Sequence, residues 1–394
     1  MKIKSLYIWL LVISASLLTA CSGSDDEPTP PSGEPARRTV LVYMEADNSL
    51  RGNAASDLDE IKQGAKKGLN GCRIVIYYSD GQEQPKLMEI LADGSERVLK
   101  TYPEDASAVT VNQMRQVVND AKLLAPASDY GLILWSHATG WFEDEYCLPV
   151  SASSRSAEPQ IQPLWYGAEG QTSGYDGDHM TLPALAKALS GNRFSFIYFD
   201  CCHMATVEVA YELRDLAPVM VASATELGVN GMPYDQNLAC FTAATPDLER
   251  ALNNTFRYYQ EHFNVQNDRN RFGCSITLMK TAALDRLASS VKNIMAQTEH
   301  PAGYSAVRYF RTAVIPAGIY DLKHYIEARC ASNPTLLSGF QTAYSQVVAL
   351  HRTTASVYTL PADDFNGLGS HILDLGYTPQ QYGYSNTAWY NAVY

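Results

Sequence analysis

The chain has 394 residues, 46% of them hydrophobic, and carries a formal charge of −12 from 42 acidic and 30 basic residues. That balance excludes a basic footprint for nucleic acid and favours cationic substrates over a distance that salt would shorten. The eight cysteines show neither a dense framework nor a C-x-x-C pair, which excludes a disulfide scaffold and a structural zinc site.

Lys2 and Lys4 precede an apolar run from Leu6 to Leu18, and Leu18-Thr19-Ala20 leads into Cys21. Residues 1–20 read as a signal peptide. A cysteine at the first mature position resembles the bacterial lipobox, which implies lipidation of Cys21 and attachment to a membrane outside the cytoplasm. Residues 21–36 hold Ser24-Asp25-Asp26-Glu27 and several prolines without a large apolar residue, the composition of a disordered tether. No later segment approaches the roughly 20 apolar residues of a membrane helix.

The globular part begins near Arg37. Thr39–Met44 reads as a strand, 57–67 as a helix, Arg73–Tyr78 as a strand, and 88–91 with 96–99 as a hairpin turning at Asp93-Gly94. A helix over 109–123 leads to the strand Tyr130–Trp135. Residues 142–180 are polar and without periodicity, and a loop of that length is usually functional or mobile. A helix over 182–189, a strand over 194–199, a helix from Val207 and a strand over 219–223 follow. A Gly- and Pro-containing loop, 224–235, comes next. Helices are expected near 247–263, 282–298, 318–330 and 337–350, with short strands at 275–278 and 369–372. Strands alternating with helices predict an α/β fold with helices on both faces of a mostly parallel sheet. Residues 37–245 form the catalytic domain in this reading, and 246–394 a mainly helical region completing it.

Two strands end abruptly in chemistry. Tyr130–Trp135 runs into Ser136-His137-Ala138-Thr139-Gly140-Trp141, and Phe194–Phe199 runs into Asp200-Cys201-Cys202-His203-Met204. Ligands of parallel sheets bind at carboxyl strand ends. A histidine and a cysteine delivered there suit a thiol nucleophile and its base. Backbone N–H groups at Ala138 and Cys202 suit an oxyanion. A helix start at the cysteine would favour the thiolate. Asp200 stands two residues before Cys202, so in extended chain both side chains point the same way. There its carboxylate suits a cationic P1 side chain, the one before the scissile bond. The bland alternatives are a packing histidine, a small buried cysteine and an aspartate that only caps the next helix.

These two motifs resemble the histidine and cysteine motifs of clostripain-like cysteine peptidases, with Ala138 at a position usually glycine and Cys201 at one usually alanine. The resemblance extends more loosely to Val40–Leu50, Ala222–Tyr234 and the Gly367-Leu368-Gly369 region. It implies a caspase-like α/β sandwich, a His137–Cys202 dyad, and cleavage of protein or peptide substrates after Arg or Lys. It also implies a second acid in the next strand-end loop, for which Glu226 and Asp235 are candidates. Family members are commonly matured by cleavage between the two motifs. The Lys and Arg residues in that interval are Arg155, Lys187 and Arg193. Only Arg155 falls outside predicted structure, so it is the expected self-cleavage site. The chemistry needs no cofactor or metal, and a calcium requirement is left open. The runner-up reading is a non-catalytic surface binding protein on the same fold, favoured by Ala138 and Cys201. A metal site on Cys201, Cys202 and His203 is weaker, because adjacent cysteines rarely reach one tetrahedral ion.

Overall fold

The structure is a computed structural model that describes residues 34–141, 166–170, 177–262, 272–309 and 318–394. Cys21 and Arg155 lie outside the described residues.

The strands are β1 (Thr39–Glu45), β2 (Arg73–Ser79), β3 (Lys86–Ile90), β4 (Glu96–Thr101), β5 (Tyr130–Trp135), β6 (Tyr166–Glu169), β7 (Asp178–Met180), β8 (Phe196–Asp200), β9 (Val219–Ser223), β10 (Ser275–Lys280), β11 (Tyr320–Asp321) and β12 (Val348–Thr353). Nine of them make one sheet in the order β12-β10-β9-β8-β5-β1-β2-β3-β4. The five central strands are mutually parallel, and β3, β4, β10 and β12 are antiparallel.

The helices are α1 (Arg51–Lys66), α2 (Val111–Leu124), α3 (Leu182–Leu189), α4 (Val207–Glu212), α5 (Tyr234–Phe241), α6 (Leu248–His262), α7 (Leu284–Gln297), α8 (Leu322–Arg329), α9 (Pro334–Val347) and α10 (Ala388–Val393). Strand alternation divides the buried side chains between two cores. Val40, Val42 and Met44 of β1 join the core under α1, α5 and α6. Leu41 and Tyr43 join the larger core beneath the remaining helices. This is the sandwich that the sequence motifs implied.

Helix starts follow local chemistry. Thr110, Thr181, Thr206 and Asn333 each accept a backbone N–H three residues on, the N-cap arrangement that contributes about 1 kcal/mol each. Arg38 ties the amino-terminal strand to α5. It pairs with Asp129 at 2.5 Å and donates to the carbonyls of Phe241 and Ala243 just past the helix.

Several elements differ from the sequence reading. Helix α1 starts six residues earlier than the periodicity suggested, directly after the Asn48 turn. The polar stretch 142–180 contains β6 and β7, whose short sequences, YGAE and DHM, carry no strand pattern. Helix α9 stops at Val347, and the residues from Val348 continue as edge strand β12. Helices α5 and α10 are short and were not expected.

Two segments distant along the chain meet through one buried acid. Glu208, in the first turn of α4, is fully buried. Its Oε1 accepts the Ser370 hydroxyl and the His371 N–H, both at 2.9 Å, while Oε2 has no hydrogen-bond partner. Burial pushes its carboxyl up to about 7. An acid raised on folding contributes stability below its unfolded value, and that contribution is lost as pH rises through the folded value. Wild-type protein should therefore lose more stability between about pH 5 and about pH 8 than Glu208→Gln does. Denaturant melts at the two pH values check this; equal losses would show that the carboxyl does not titrate in the fold.

Candidate active site

The carboxyl ends of β1, β5, β8 and β9 surround one cleft with room for about 160 Å³ of solvent. His137, Ala138, Asp200, Cys202 and Glu226 all line it, together with Leu227 and Gly231. The strand order places β5 beside β8, with Trp135 opposite Asp200 in the ladder. His137 and Cys202 thus leave neighbouring strand ends on the same side of the molecule.

The period of two along β8 separates the two cysteines. Ile197, Phe199 and Cys201 face the larger core, whereas Phe196 and Tyr198 face the other, against which Cys202 also packs. Cys201 borders the cleft but is buried in the larger core, whereas Cys202 is half-buried and open to the cleft. The pair cannot converge on one ion, and among the described residues no group of three His, Cys, Asp or Glu side chains is arranged to hold a metal.

The chain after β8 corrects one expectation. Helix α4 begins only at Val207, capped by Thr206, so Cys202 sits in a turn five residues before it. The turn needs His203 at φ 59°, and the His203 N–H is taken by the Thr225 carbonyl at 3.0 Å. The helix macrodipole therefore does not act directly on the Cys202 sulfur. Burial pushes its thiol up to about 12, and the Leu227 N–H donating to Sγ at 3.2 Å offsets only part of that. Burial also pushes His137 down to about 4. At neutral pH both groups are uncharged.

His137 is held from three sides. Its carbonyl accepts the Gly167 N–H at 2.9 Å, and Ala138 bridges to Tyr166. The preceding Ser136 donates to buried Glu45, which also accepts the Ala168 N–H at 2.8 Å. Burial raises Glu45 to about 8. Ser49 Oγ lies 2.8 Å from His137 Nε2. In the tautomer whose Nε2–H donates to Ser49 Oγ, Nδ1 is the nitrogen that can accept a thiol proton. Ala138 is not strained: among the described non-glycine residues only Asn70, His203 and Tyr358 have positive φ.

Asp200 closes the cleft, 4% exposed. Its Oδ1 accepts the Met232 N–H at 3.1 Å, and Oδ2 has no hydrogen-bond partner. The Tyr234 hydroxyl lies nearby and interacts with it, but the geometry falls short of a regular hydrogen bond. Gly231 comes so close that a Cβ there would stand 2.7 Å from Oδ2. Glu226 is at the cleft wall. Asp235 is not: it starts α5, where its carboxylate pairs with Lys67 at 2.9 Å.

Ser49, Glu45 and the Leu227 N–H were not singled out from sequence. Glu45 carries a usable signal, since a carboxylate ends an otherwise apolar buried strand. Ser49 and a backbone donor carry none.

A resting thiol predicts the pH course of alkylation. Cys202 should react with iodoacetamide at a rate that climbs about tenfold per pH unit from pH 6 to pH 9. Peptide mass mapping would follow the site. A rate already at its plateau at pH 6 would instead indicate a preformed thiolate–imidazolium pair.

With this geometry in hand, the comparisons are specific. The model of the clostripain family, a peptidase family, matches residues 42–303. Clostripain of Hathewaya histolytica is 24% identical over 224 residues, which are 50% of this chain and 41% of that protein. The chain thus spans less than half of that relative's length. A secreted C11 cysteine protease of Bacteroides thetaiotaomicron, solved with an irreversible peptide inhibitor, is 26% identical with a TM-score of 0.75. That match covers 91% of this chain and 99% of the protease. An inactive zymogen of a C11 protease from Parabacteroides distasonis is also 26% identical, with a TM-score of 0.74, covering 92% and 99% of the two chains.

Proposed function

Because the chain belongs to the clostripain family of cysteine peptidases, we propose that it is a cysteine endopeptidase acting after Arg or Lys through Cys202 and His137. The observation that carries this reading is the delivery of both residues from adjacent strand ends into one cleft closed by a buried carboxylate, Asp200. His137 takes the thiol proton as Sγ attacks the scissile carbonyl carbon. The backbone N–H groups of Ala138 and Cys202 stabilise the resulting oxyanion. The imidazolium then gives its proton to the departing amine, leaving a thioester. Water, deprotonated by His137, cleaves the thioester and restores the thiol. Neutral resting partners suit this sequence, because the proton moves only as the bond forms.

Asp200 selects the cationic P1 group by a charge-assisted hydrogen bond, with Glu226 adding negative charge at the cleft wall. Arg155, flanked by Ser153-Ser154 and Ser156-Ala157, matches that preference and is the site at which a zymogen cuts itself. The P. distasonis relative, described as an inactive zymogen, supports a maturation step. Cys21 is lipidated and tethers the mature chain to a membrane outside the cytoplasm, in keeping with the secreted relatives.

Cys202→Ala should abolish cleavage of fluorogenic P1-Arg peptides and leave the purified chain whole, whereas Cys201→Ala should cleave. The wild-type chain should yield a fragment beginning at Ser156. Turnover surviving in Cys202→Ala and lost in Cys201→Ala would move the nucleophile to Cys201. An uncut yet fully active chain would remove the zymogen step. Cys21→Ser should release the protein from membranes, and a wild-type chain found soluble without detergent would remove the anchor.

A further inference from the structure

Helix α1 presents a buried stripe of Ala54, Asp57, Ile61, Gly64 and Ala65 to the sheet. Helical spacing calls for an apolar residue at each of these positions. Asp57 breaks the pattern, yet it is only 2% exposed. Its Oδ2 accepts the Trp135 indole N–H at 2.7 Å. Trp135 is the last residue of β5, pairs with Asp200 in the ladder, and lines the cleft. Asp57 therefore sits directly behind the closed end of the cleft, and its carboxylate and that of Asp200 repel each other.

An indole N–H needs only a neutral acceptor, which Asn or Gln would supply without the cost of burying a carboxylate. Two acids buried together without a cation are unfavourable to the empty fold, since an uncompensated buried charge costs several kcal/mol. Among the described residues no lysine or arginine acts on either carboxylate. Lys67 acts on Glu60 but pairs with Asp235. Glu60 on α1 faces the pair as a third acid, accepting the Tyr234 N–H at 2.9 Å. Tyr198 on β8, Tyr234 on α5 and Tyr258 and Tyr259 on α6 also feel these charges, and Cys202 stands at the mouth. Every group acting on these two carboxylates is acidic or neutral. The one cation such a well can take is one that enters through the cleft.

We propose that Asp57 is the second, hidden acid of the primary specificity pocket, setting the preference for a cationic P1 side chain from behind Asp200 without touching the substrate. This rests on the peptidase reading above and adds a specificity residue to it. Burial raises the Asp200 carboxyl, and burial with repulsion from Asp200 raises that of Asp57 well above the usual carboxylate range. The empty well thus keeps protons at neutral pH. An entering guanidinium or ammonium favours both ionised forms, so binding expels a proton. Because the free protein holds more protons than the complex, affinity for a cationic P1 group rises with pH through this range.

The test compares P1-Arg peptides with their P1-citrulline counterparts, which keep the shape and lose the charge. Wild-type kcat/KM for Arg should climb between pH 6 and pH 8 relative to citrulline. Calorimetry of the Cys202→Ala protein with the Arg peptide, in two buffers of different ionisation enthalpy, should show proton release at pH 7. Asp57→Asn keeps the acceptor for Trp135. It should lower the Arg-over-citrulline ratio about tenfold, shift the pH ramp downward as Asp200 loses its repelling neighbour, and diminish the released proton. A wild-type enzyme that shows no preference for Arg over citrulline would overturn the basic-specificity reading itself. A clear Arg preference that is flat with pH, or unchanged in Asp57→Asn while Asp200→Asn abolishes it, would overturn the role of Asp57 alone. Should Asp57→Asn not fold, the proton count of the Cys202→Ala protein at pH 6, where both acids hold their protons, decides instead: more than one proton released per bound Arg peptide needs an acid besides Asp200, and one or fewer would overturn the role of Asp57.

Discussion

The arrangement depends on a carboxylate buried without a counter-charge at the end of β8. Asp200 is fixed there by the strand, receives one N–H from Met232, and is crowded by a glycine whose missing Cβ leaves Oδ2 free. An unpaired charge there would cost several kcal/mol, which is why burial raises the carboxyl. The surrounding elements close on that acid without bringing it a cation. The loop after β9 brings Gly231 and Met232 against the acid, and α5 brings Tyr234. Helix α1 adds a second acid, Asp57, rather than a cation.

The same absence of charge governs the nucleophile. With Cys202 in a turn before α4 rather than on the helix, and His137 desolvated, neither partner has a nearby charge to stabilise an ion pair at rest. Reactivity must then come from geometry: a ring fixed by Ser49 at one nitrogen and by Gly167 at its backbone, and a sulfur aligned by the Leu227 N–H. Such a site is quiet toward small electrophiles and oxidants until a substrate brings its own polarity into the cleft.

Much of this was legible in the sequence, for reasons that can be named. Two apolar runs stopping at His137 and at Cys202 announced strand ends, and strand ends of a parallel sheet define where ligands go. The alternation rule put Asp200 and Cys202 on one side, as found. What escaped was non-local or carried by the backbone. No periodicity shows that the Leu227 N–H meets a sulfur 25 residues earlier, or that Asp235 turns to Lys67 instead of the cleft. Asp57 was visible as an acid in an apolar stripe, but the expected helix began at that residue, so the stripe was cut short and the anomaly lost. Strands β6 and β12 were missed because their sequences lack β-branched alternation; they pair because neighbouring edges need partners.

The stitching of β6 has a mechanical consequence. Residues on either side of the 142–165 interval are not merely adjacent: Gly167 bonds to His137, Ala168 bonds to Glu45, and β8 lies against β5 along five paired positions. The portions before and after the interval are interleaved in one sheet, with buried side chains of both in each core. A break in the backbone between them would therefore yield two polypeptides but a single particle. They would migrate together on a native column and part only when the sheet itself is denatured.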